Sequence, residues 1–259
     1  MTRLQISAEL SYRLPAPCTI LVQVEAAATP DQRLEQSSLT LGSAADKAIV
    51  PALDRIGTRF WTRQQEQLTV SYAADVTIDR VNPDFATLSA SDLSDLPGEA
   101  VSYLFDSHYC AAGDFDQLLS NEFSGLAGGP LITAMSDHVA QHMTYGSDVD
   151  NASPNARQSY AAGKGVCRDY AHILISMARA ADIPARFVST YAPDVEPQDF
   201  HAVAEVFLDG GWHLVDATGM ANPVDMAVIG VGRDATDVAF LTGFGSMDMV
   251  EQQVRVSRA

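Results

Sequence analysis

Residues 163–216 constrain the fold most strongly, because they carry a Cys, a His and an Asp on elements whose geometry can be deduced. Cys167 follows a Gly-Lys-Gly-Val segment and begins a run with helical periodicity. The apolar residues of one helix face lie 4, 7, 8 and 11 positions after it: Ala171, Leu174, Ile175 and Ala178. We expect the helix to end near Pro184, because proline disfavours helical geometry at the preceding residue. Cys167 would then lie at the positive end of the helix dipole, which favours the thiolate form.

A β-hairpin is predicted by the sequence HAVAEVFLDGGWHLVD. Asp209-Gly210 is a favoured two-residue hairpin turn, and it would pair Val203 with Asp216. Side chains alternate along a strand, so His201 and Asp216 would then emerge on one face as diagonal neighbours. A three-residue turn would place them on opposite faces. Because His201 and Asp216 can act together only from one face, we predict the two-residue turn.

The segments that carry these residues resemble the transglutaminase-like cysteine enzymes of papain-like fold. They are GVCRDYAHI with IPARFVSTY behind it, FHAVAEVF, and GWHLVDAT. The resemblance covers residues 130–220, and GRDATDVAFLTGFG also resembles bacterial members. One difference is Val203, two residues after His201, where the family often has Trp. Because of this difference, the resemblance does not determine the shape of the acyl pocket.

The resemblance implies nucleophilic thiol catalysis by a Cys-His-Asp triad. Cys167 would attack a carboxamide or peptide carbonyl, His201 would take and return the proton, and Asp216 would orient the imidazole. The resulting thioester can be resolved by water, giving hydrolysis, or by an amine, giving transamidation. Resemblance to bacterial members favours hydrolysis of a peptide or isopeptide bond in a peptide or protein substrate. This chemistry needs no metal and no organic cofactor.

Three other functions are alternatives to a thiol hydrolase. An arylamine N-acetyltransferase shares the Cys-His-Asp order but usually carries Arg-Gly-Gly before its Cys, where this chain has Lys164-Gly165-Val166. A glycanase of the same superfamily usually has paired Cys-x-x-Cys zinc motifs, which three scattered cysteines cannot supply. A binding or assembly module that retains the triad is the non-catalytic alternative. The sequence does not determine the oligomeric state.

An α+β chain of two parts is predicted. Residues 1–93 read as an N-terminal antiparallel β-sandwich, and residues 94–259 as a papain-like, transglutaminase-like catalytic domain. Candidate strands of the first part are 4–12, 18–25, 33–41, 47–52, 57–63 and 67–80, the last two as arms of a hairpin. In the second part we predict helices at 114–123 and 130–143, a loop at 222–235, and closing strands at 238–244 and 249–256. Substrate loops are expected at 145–160 and 191–200.

Composition narrows the partners. A net charge of −17 argues against nucleic acids and anionic membranes, since both favour cationic surfaces. No apolar run approaches membrane-spanning length, and the first residues lack the apolar region of a signal peptide. The three cysteines show no paired spacing, which fits a reduced cytoplasmic setting. Cys18 and Cys110 are expected to be small buried residues.

The remaining histidines are interpreted as structural. His138 and His142 have the four-residue spacing of a metal site, but no third ligand is evident. His172 faces away from Cys167 on the predicted helix, and His213 points opposite to Asp216.

Two acidic residues and three possible hydrogen-bond donors lie near the predicted site. Asp169 is interpreted as a carboxylate near a helix N-terminus, and Glu205 as the partner of an Arg. An acyl-transfer site also needs donors for the developing oxyanion. The backbone N–H of Cys167 is one. Three upstream side chains are equal candidates for the second donor: Gln158, Tyr160 and Tyr145.

Overall fold

The computed structural model describes residues 1–42, 47–146 and 154–259. Its strands are β1 (Thr2–Val22), β2 (Gln32–Leu41), β3 (Lys47–Pro51), β4 (Thr58–Ile78), β5 (Thr144–Tyr145), β6 (Lys164–Gly165), β7 (Ala185–Tyr191), β8 (His201–Leu208), β9 (Gly211–Val215), β10 (Ala227–Gly232), β11 (Leu241–Gly243) and β12 (Asp248–Arg258). Its α-helices are α1 (Gly98–Val101), α2 (Asp116–Glu122), α3 (Gly128–His142), α4 (Ala156–Ala162) and α5 (Cys167–Ala180). The α+β class is confirmed, with antiparallel pairing throughout the two larger sheets. No helix among the described residues is long and apolar enough to cross a membrane.

The first sheet is built on two strands, β1 and β4, of 21 residues each. They pair antiparallel, with β2 and β3 on the far side of β4. The predicted separate strands 4–12 and 18–25 are therefore wrong, as is the predicted hairpin of 57–63 and 67–80. Instead of two sheets of a sandwich, one continuous hydrogen-bonded sheet forms.

A bulge explains why these strands continue through apparent breaks. Pro15 and Pro17 lie between Leu14 and Cys18, where the register of β1 against β4 shifts. Opposite this point Glu66 takes a φ of 64°. Extra residues at a bulge leave the ladder without ending the strand, so prolines that read as a turn are absorbed within it.

The end of the chain completes this first sheet. Strands β11 and β12, both close to their predicted positions, pair with successive parts of β1. The division at residues 93 and 94 stays a prediction. The pairing of β11 and β12 with β1 places residues 241–258 in the sheet that residues 1–78 begin.

The second sheet has the order β10-β7-β8-β9 and packs against α5. Helix α5 begins and ends as predicted, and α2 and α3 lie where helices were expected. The predicted loop at 222–235 is wrong, because it contains β10. That strand, AVIGVG, is short and glycine-containing, and its pairing with β7 is a long-range contact that local sequence does not reveal.

The two sheets meet in one shared apolar cluster. Tyr191 and Ile229, of β7 and β10, pack in the same cluster as the inward side chains of β1 and β4. The Tyr191 hydroxyl donates a hydrogen bond to the Val24 carbonyl at 2.7 Å. Gly57, with a φ of 93°, passes so close to β10 that a Cβ would lie 2.2 Å from the Ile229 carbonyl oxygen. The second sheet is thus held by the first.

Gln32 provides the polar part of this contact. Its side chain is fully buried and donates to the Ala27 carbonyl at 2.7 Å and to the Val228 carbonyl at 2.9 Å. Its side-chain oxygen accepts the Val228 N–H at 2.7 Å. A residue of β2 thereby satisfies the backbone of β10.

We expect Gln32→Leu to lower the free energy of unfolding by about 2–3 kcal/mol, because it leaves buried backbone groups of Ala27 and Val228 without this partner. The matched control is Gln36→Leu, at an exposed position of the same strand, which should change stability by less than about 0.5 kcal/mol. Urea unfolding measures both. Equal midpoints for the two variants would contradict this role of Gln32.

Candidate active site

Cys167 is the first residue of α5, and a buried carboxylate holds the turn before it. Asp169 accepts hydrogen bonds from the Val166 N–H at 2.9 Å and the Ser159 hydroxyl at 3.2 Å. Gly165 allows this approach, since a Cβ there would lie 2.6 Å from the Asp169 Cβ. These contacts support the structural interpretation of Asp169. They fix the position of the candidate nucleophile.

A short parallel pairing brings Tyr145 to the same place. Strands β5 and β6 are joined by hydrogen bonds from Thr144 N–H to the Gly163 carbonyl (2.8 Å) and from Gly146 N–H to the Gly165 carbonyl (2.9 Å). The Tyr145 hydroxyl lies against the thiol and the backbone N–H of Cys167. Burial and the neighbouring Cys167 raise the pKa of Tyr145 to about 12. At neutral pH it is therefore a hydroxyl that can donate a hydrogen bond.

The other two candidate donors lie elsewhere. Gln158 forms a reciprocal pair of hydrogen bonds with Asn155 at the start of α4. The Tyr160 ring stacks on His142 with centroids 4.0 Å apart, and its hydroxyl lies 2.8 Å from Nε2 of His138. Of the three, the structure places Tyr145 at Cys167.

The predicted hairpin turn is confirmed. Leu208 pairs with Gly211, so the loop contains only Asp209 and Gly210. Their φ values of 50° and 75° are both positive, as a type I′ turn requires. The register of β8 against β9 is therefore the one that the sequence predicts.

His201 and Asp216 meet as this register requires. Nε2 of His201 lies 2.9 Å from Oδ2 of Asp216, with both side chains buried. The carboxylate also accepts the Thr218 N–H at 2.9 Å, the Thr218 hydroxyl at 2.7 Å and the Ala221 N–H at 3.0 Å. Burial alone raises the pKa of Asp216, but the hydrogen bonds from His201 and Thr218 bring it below its ordinary value. Asp216 is thus an oriented carboxylate at neutral pH.

The charge of His201 is set by its neighbours. Burial disfavours the imidazolium, but Asp216 and Cys167 together raise the pKa of His201 to about 9. Nδ1 makes no hydrogen bond of ordinary geometry with a described residue, so this nitrogen is available to the thiol. The imidazole beside Cys167 can therefore carry a proton at neutral pH.

Cys167 and His201 line a cleft of about 430 Å³. Its remaining walls come mostly from apolar and aromatic side chains, and the described lining residues all lie between 109 and 242. They are Tyr109, Arg168, Phe187, Ser189, Phe200, Ala202, Ala235, Thr236, Val238, Ala239, Phe240 and Thr242. Of the predicted substrate loops, residues 147–153 lie outside the described residues.

His172 has the structural role that was expected. Its ring is buried against Tyr109 and Phe187, and Nε2 accepts the Ala235 N–H at 3.1 Å. Burial lowers the pKa of His172 to about 3, so the ring stays neutral. It anchors the loop that forms one wall of the cleft.

The remaining candidates also have structural partners. Glu205 accepts a hydrogen bond from Arg186 at 2.7 Å, as predicted, and the guanidinium stacks on Trp212. Nε2 of His213 lies 3.1 Å from the Leu208 carbonyl, away from Asp216. Within the described ranges no group of three or more His, Cys, Asp and Glu gathers as a metal site would require.

Sequence reasoning missed the supports of the site. Thr218 and Ala221 orient Asp216, and the Asp-x-Thr sequence, typical of a turn in which the carboxylate binds the backbone two residues on, was the available signal. Phe200 and Phe240, which form a wall of the cleft, carry no local signal.

Replacing Asp216 with Asn is expected to bring the pKa of His201 from about 9 toward its ordinary value of 6.5, because a neutral amide stabilises the imidazolium less. In the native protein the His201–Asp216 pair contributes its full stabilisation to the folded state below pH 6.5. This stabilisation is lost as the pH rises through about 9, where His201 loses its proton. NMR titration of the histidine ring carbons measures the pKa. Asp209→Asn removes a charge from the same hairpin while keeping a favoured turn, and should leave His201 unchanged. An unshifted His201 in Asp216→Asn would refute the electrostatic coupling.

Comparisons with known proteins bear on the fold and on residues 128–217. The Transglutaminase-like superfamily model, Transglut_core, matches residues 128–217, which include Cys167, His201 and Asp216. A crystal structure from Cytophaga hutchinsonii described as a "Putative Cysteine Protease" is 27% identical, with a TM-score of 0.93 over 99% of this chain and 90% of that one. The periplasmic domain of TgpA from Pseudomonas aeruginosa is 15% identical, with a TM-score of 0.44 over 80% of this chain and 72% of that one.

Among curated proteins, an uncharacterized protein of Mycobacterium leprae is 37% identical over an alignment of 93 residues, and the match covers 32% of this chain. The chain matches about a third of that protein's length, 33%. Residues 128–217 thus match the core of the transglutaminase-like superfamily, and this match together with the structural likeness supports that family for the chain.

Proposed function

We propose that this protein is a cysteine-dependent peptidase or amidohydrolase, with Cys167, His201 and Asp216 as its catalytic triad. The observation that carries the proposal is the buried His201–Asp216 pair at 2.9 Å, with the imidazole pKa raised by Asp216 and then by Cys167 at the start of α5. The family match and the structural likeness support a protease-like or transamidase function. Hydrolysis of a peptide or isopeptide bond is the activity that we infer.

The reaction proceeds in two steps. The Cys167 thiolate attacks the carbonyl carbon, the C–N bond breaks, and His201 gives its proton to the departing amine. Water then attacks the thioester carbon while His201 takes its proton, and the C–S bond breaks to release the acid and the thiolate. Throughout, Asp216 holds the imidazole and stabilises its charged form. An amine in place of water would give transamidation.

Two donors are proposed for the oxyanion. The Cys167 backbone N–H at the start of α5 is one, because the first N–H groups of a helix have no partner within it. The Tyr145 hydroxyl, which lies against that N–H and stays protonated at neutral pH, is the second. The carbonyl oxygen of a substrate would replace their mutual contact and accept a hydrogen bond from each.

Cys167→Ala should abolish hydrolysis of a casein-derived peptide library, measured by mass spectrometry, without changing the unfolding midpoint. Cys110→Ala is the matched control and should keep full activity. Cys110 is buried, and burial raises its pKa to about 12, so it should also resist iodoacetamide near neutral pH while Cys167 reacts. Hydrolysis that survives in Cys167→Ala would end the thiol mechanism. A slow reaction of Cys167 would favour the non-catalytic module.

Tyr145→Phe should lower kcat on the order of 100-fold with little change in KM, because the lost donor acts mainly on the charge of the transition state. Tyr160→Phe removes a hydroxyl that lies on His138 instead, and serves as the control. Steady-state kinetics on one cleaved peptide separates the two parameters. If kcat for Tyr145→Phe equals that of the native protein, the second donor must be sought elsewhere.

A further inference from the structure

The cleft beside Cys167 has walls of a particular chemistry. Four large apolar side chains line it: Phe187, Phe200, Val238 and Phe240. Among the described lining residues there is no Asp and no Glu. The guanidinium of Arg168 donates to Asp169 at 3.3 Å through Nη2, while its buried Nε has no hydrogen-bond partner among the described residues. A cationic substrate side chain would lose water here, with no carboxylate among the described lining residues to replace it. An anionic side chain would meet part of one guanidinium between walls that are mostly apolar.

One wall is preformed by stacked rings. Phe200 and Phe240 lie with centroids 4.4 Å apart and planes 7° from parallel. Behind them the rings of Phe200 and Tyr191 lie with centroids 5.4 Å apart, and the Tyr191 hydroxyl donates a hydrogen bond to the Val24 carbonyl. The aromatic wall therefore rests on the core of the first sheet, so a ligand does not have to order it.

A loop that begins at Arg233 supplies further lining residues, and hydrogen bonds anchor its start. Asp234 accepts the Tyr109 N–H and the Thr236 N–H, each at 2.9 Å. Arg179, from within α5, donates to the Arg233 carbonyl at 2.6 Å. These bonds hold the backbone that presents Val238 to the cleft.

We propose that this cleft binds a large apolar side chain, aromatic or aliphatic, of the substrate residue that supplies the scissile carbonyl. The inference rests on the proposed function and names its substrate class. Cys167 itself lines the cleft, so the residue that becomes attached to its sulfur is the one whose side chain reaches these walls. A cleft of about 430 Å³ is within the usual range of small-ligand pockets, and it suits one side chain with its adjoining backbone.

The test uses four N-acetyl-aminoacyl chloromethyl ketones that carry Phe, Leu, Asp or Lys side chains. The thiolate displaces chloride from the methylene carbon, so a C–S bond forms as the C–Cl bond breaks. Mass spectrometry gives the rate of modification at Cys167. We expect the Phe and Leu compounds to react about 10- to 100-fold faster than the other two, because burial of a large apolar side chain supplies that difference.

Iodoacetamide, which has no amino-acid side chain, reports the reactivity of the thiol alone. Phe240→Ala should slow the Phe compound at least several-fold and leave the iodoacetamide rate unchanged. Phe244→Ala is the matched control, since Phe244 is 64% exposed and lies outside the cleft. Ala239→Asp places a carboxylate at an exposed lining position and should raise the rate of the Lys compound relative to the Phe compound.

The outcomes distinguish failure of the apolar pocket from failure of the proposed function. If Cys167 reacts readily with iodoacetamide while the four ketones react equally, or the charged ones faster, the apolar pocket is overturned and the proposed function stands. If Cys167 reacts with iodoacetamide no faster than free cysteine, the proposed function fails, and the pocket assignment fails with it.

Discussion

The two-residue turn at Asp209-Gly210 is the constraint on which the candidate site depends. Both residues take positive φ, and the loop between β8 and β9 has an even length. Because side chains alternate along a strand, one more residue would turn Asp216 away from His201. The 2.9 Å contact between them, and the raised pKa of the imidazole, follow from this turn.

Two buried histidines show how partners decide the behaviour of the same side chain. Both His172 and His201 are fully removed from water, which by itself disfavours the charged ring in each. His201 faces a carboxylate and a thiol, and its pKa rises to about 9. His172 faces the Ala235 N–H and two aromatic rings, and its pKa falls to about 3. One ring can carry a proton at neutral pH, and the other serves as a fixed acceptor.

The first sheet contributes to the site through packing. The lining residues of the cleft all lie beyond residue 108, but the rings of Phe200 and Phe240 rest on the core that β1 and β4 build. Gln32 and Tyr191 add buried hydrogen bonds across the same boundary. Since β11 and β12 also pair with β1, the chain returns to this sheet after forming the cleft. A rigid sheet behind the aromatic wall keeps the cleft open without a ligand.

The sequence by itself determined the helix at Cys167, the hairpin turn and the pairing of His201 with Asp216. All three depend on local periodicity, turn chemistry and strand parity, which a single sequence records. Tertiary structure alone decided the continuity of β1 and β4, the strand β10, the position of Tyr145 beside Cys167, and the aromatic wall of the cleft. Each of these depends on contacts between residues far apart in the chain. A proline can end a strand or fall in a bulge, and only the pairing with the neighbouring strand settles which.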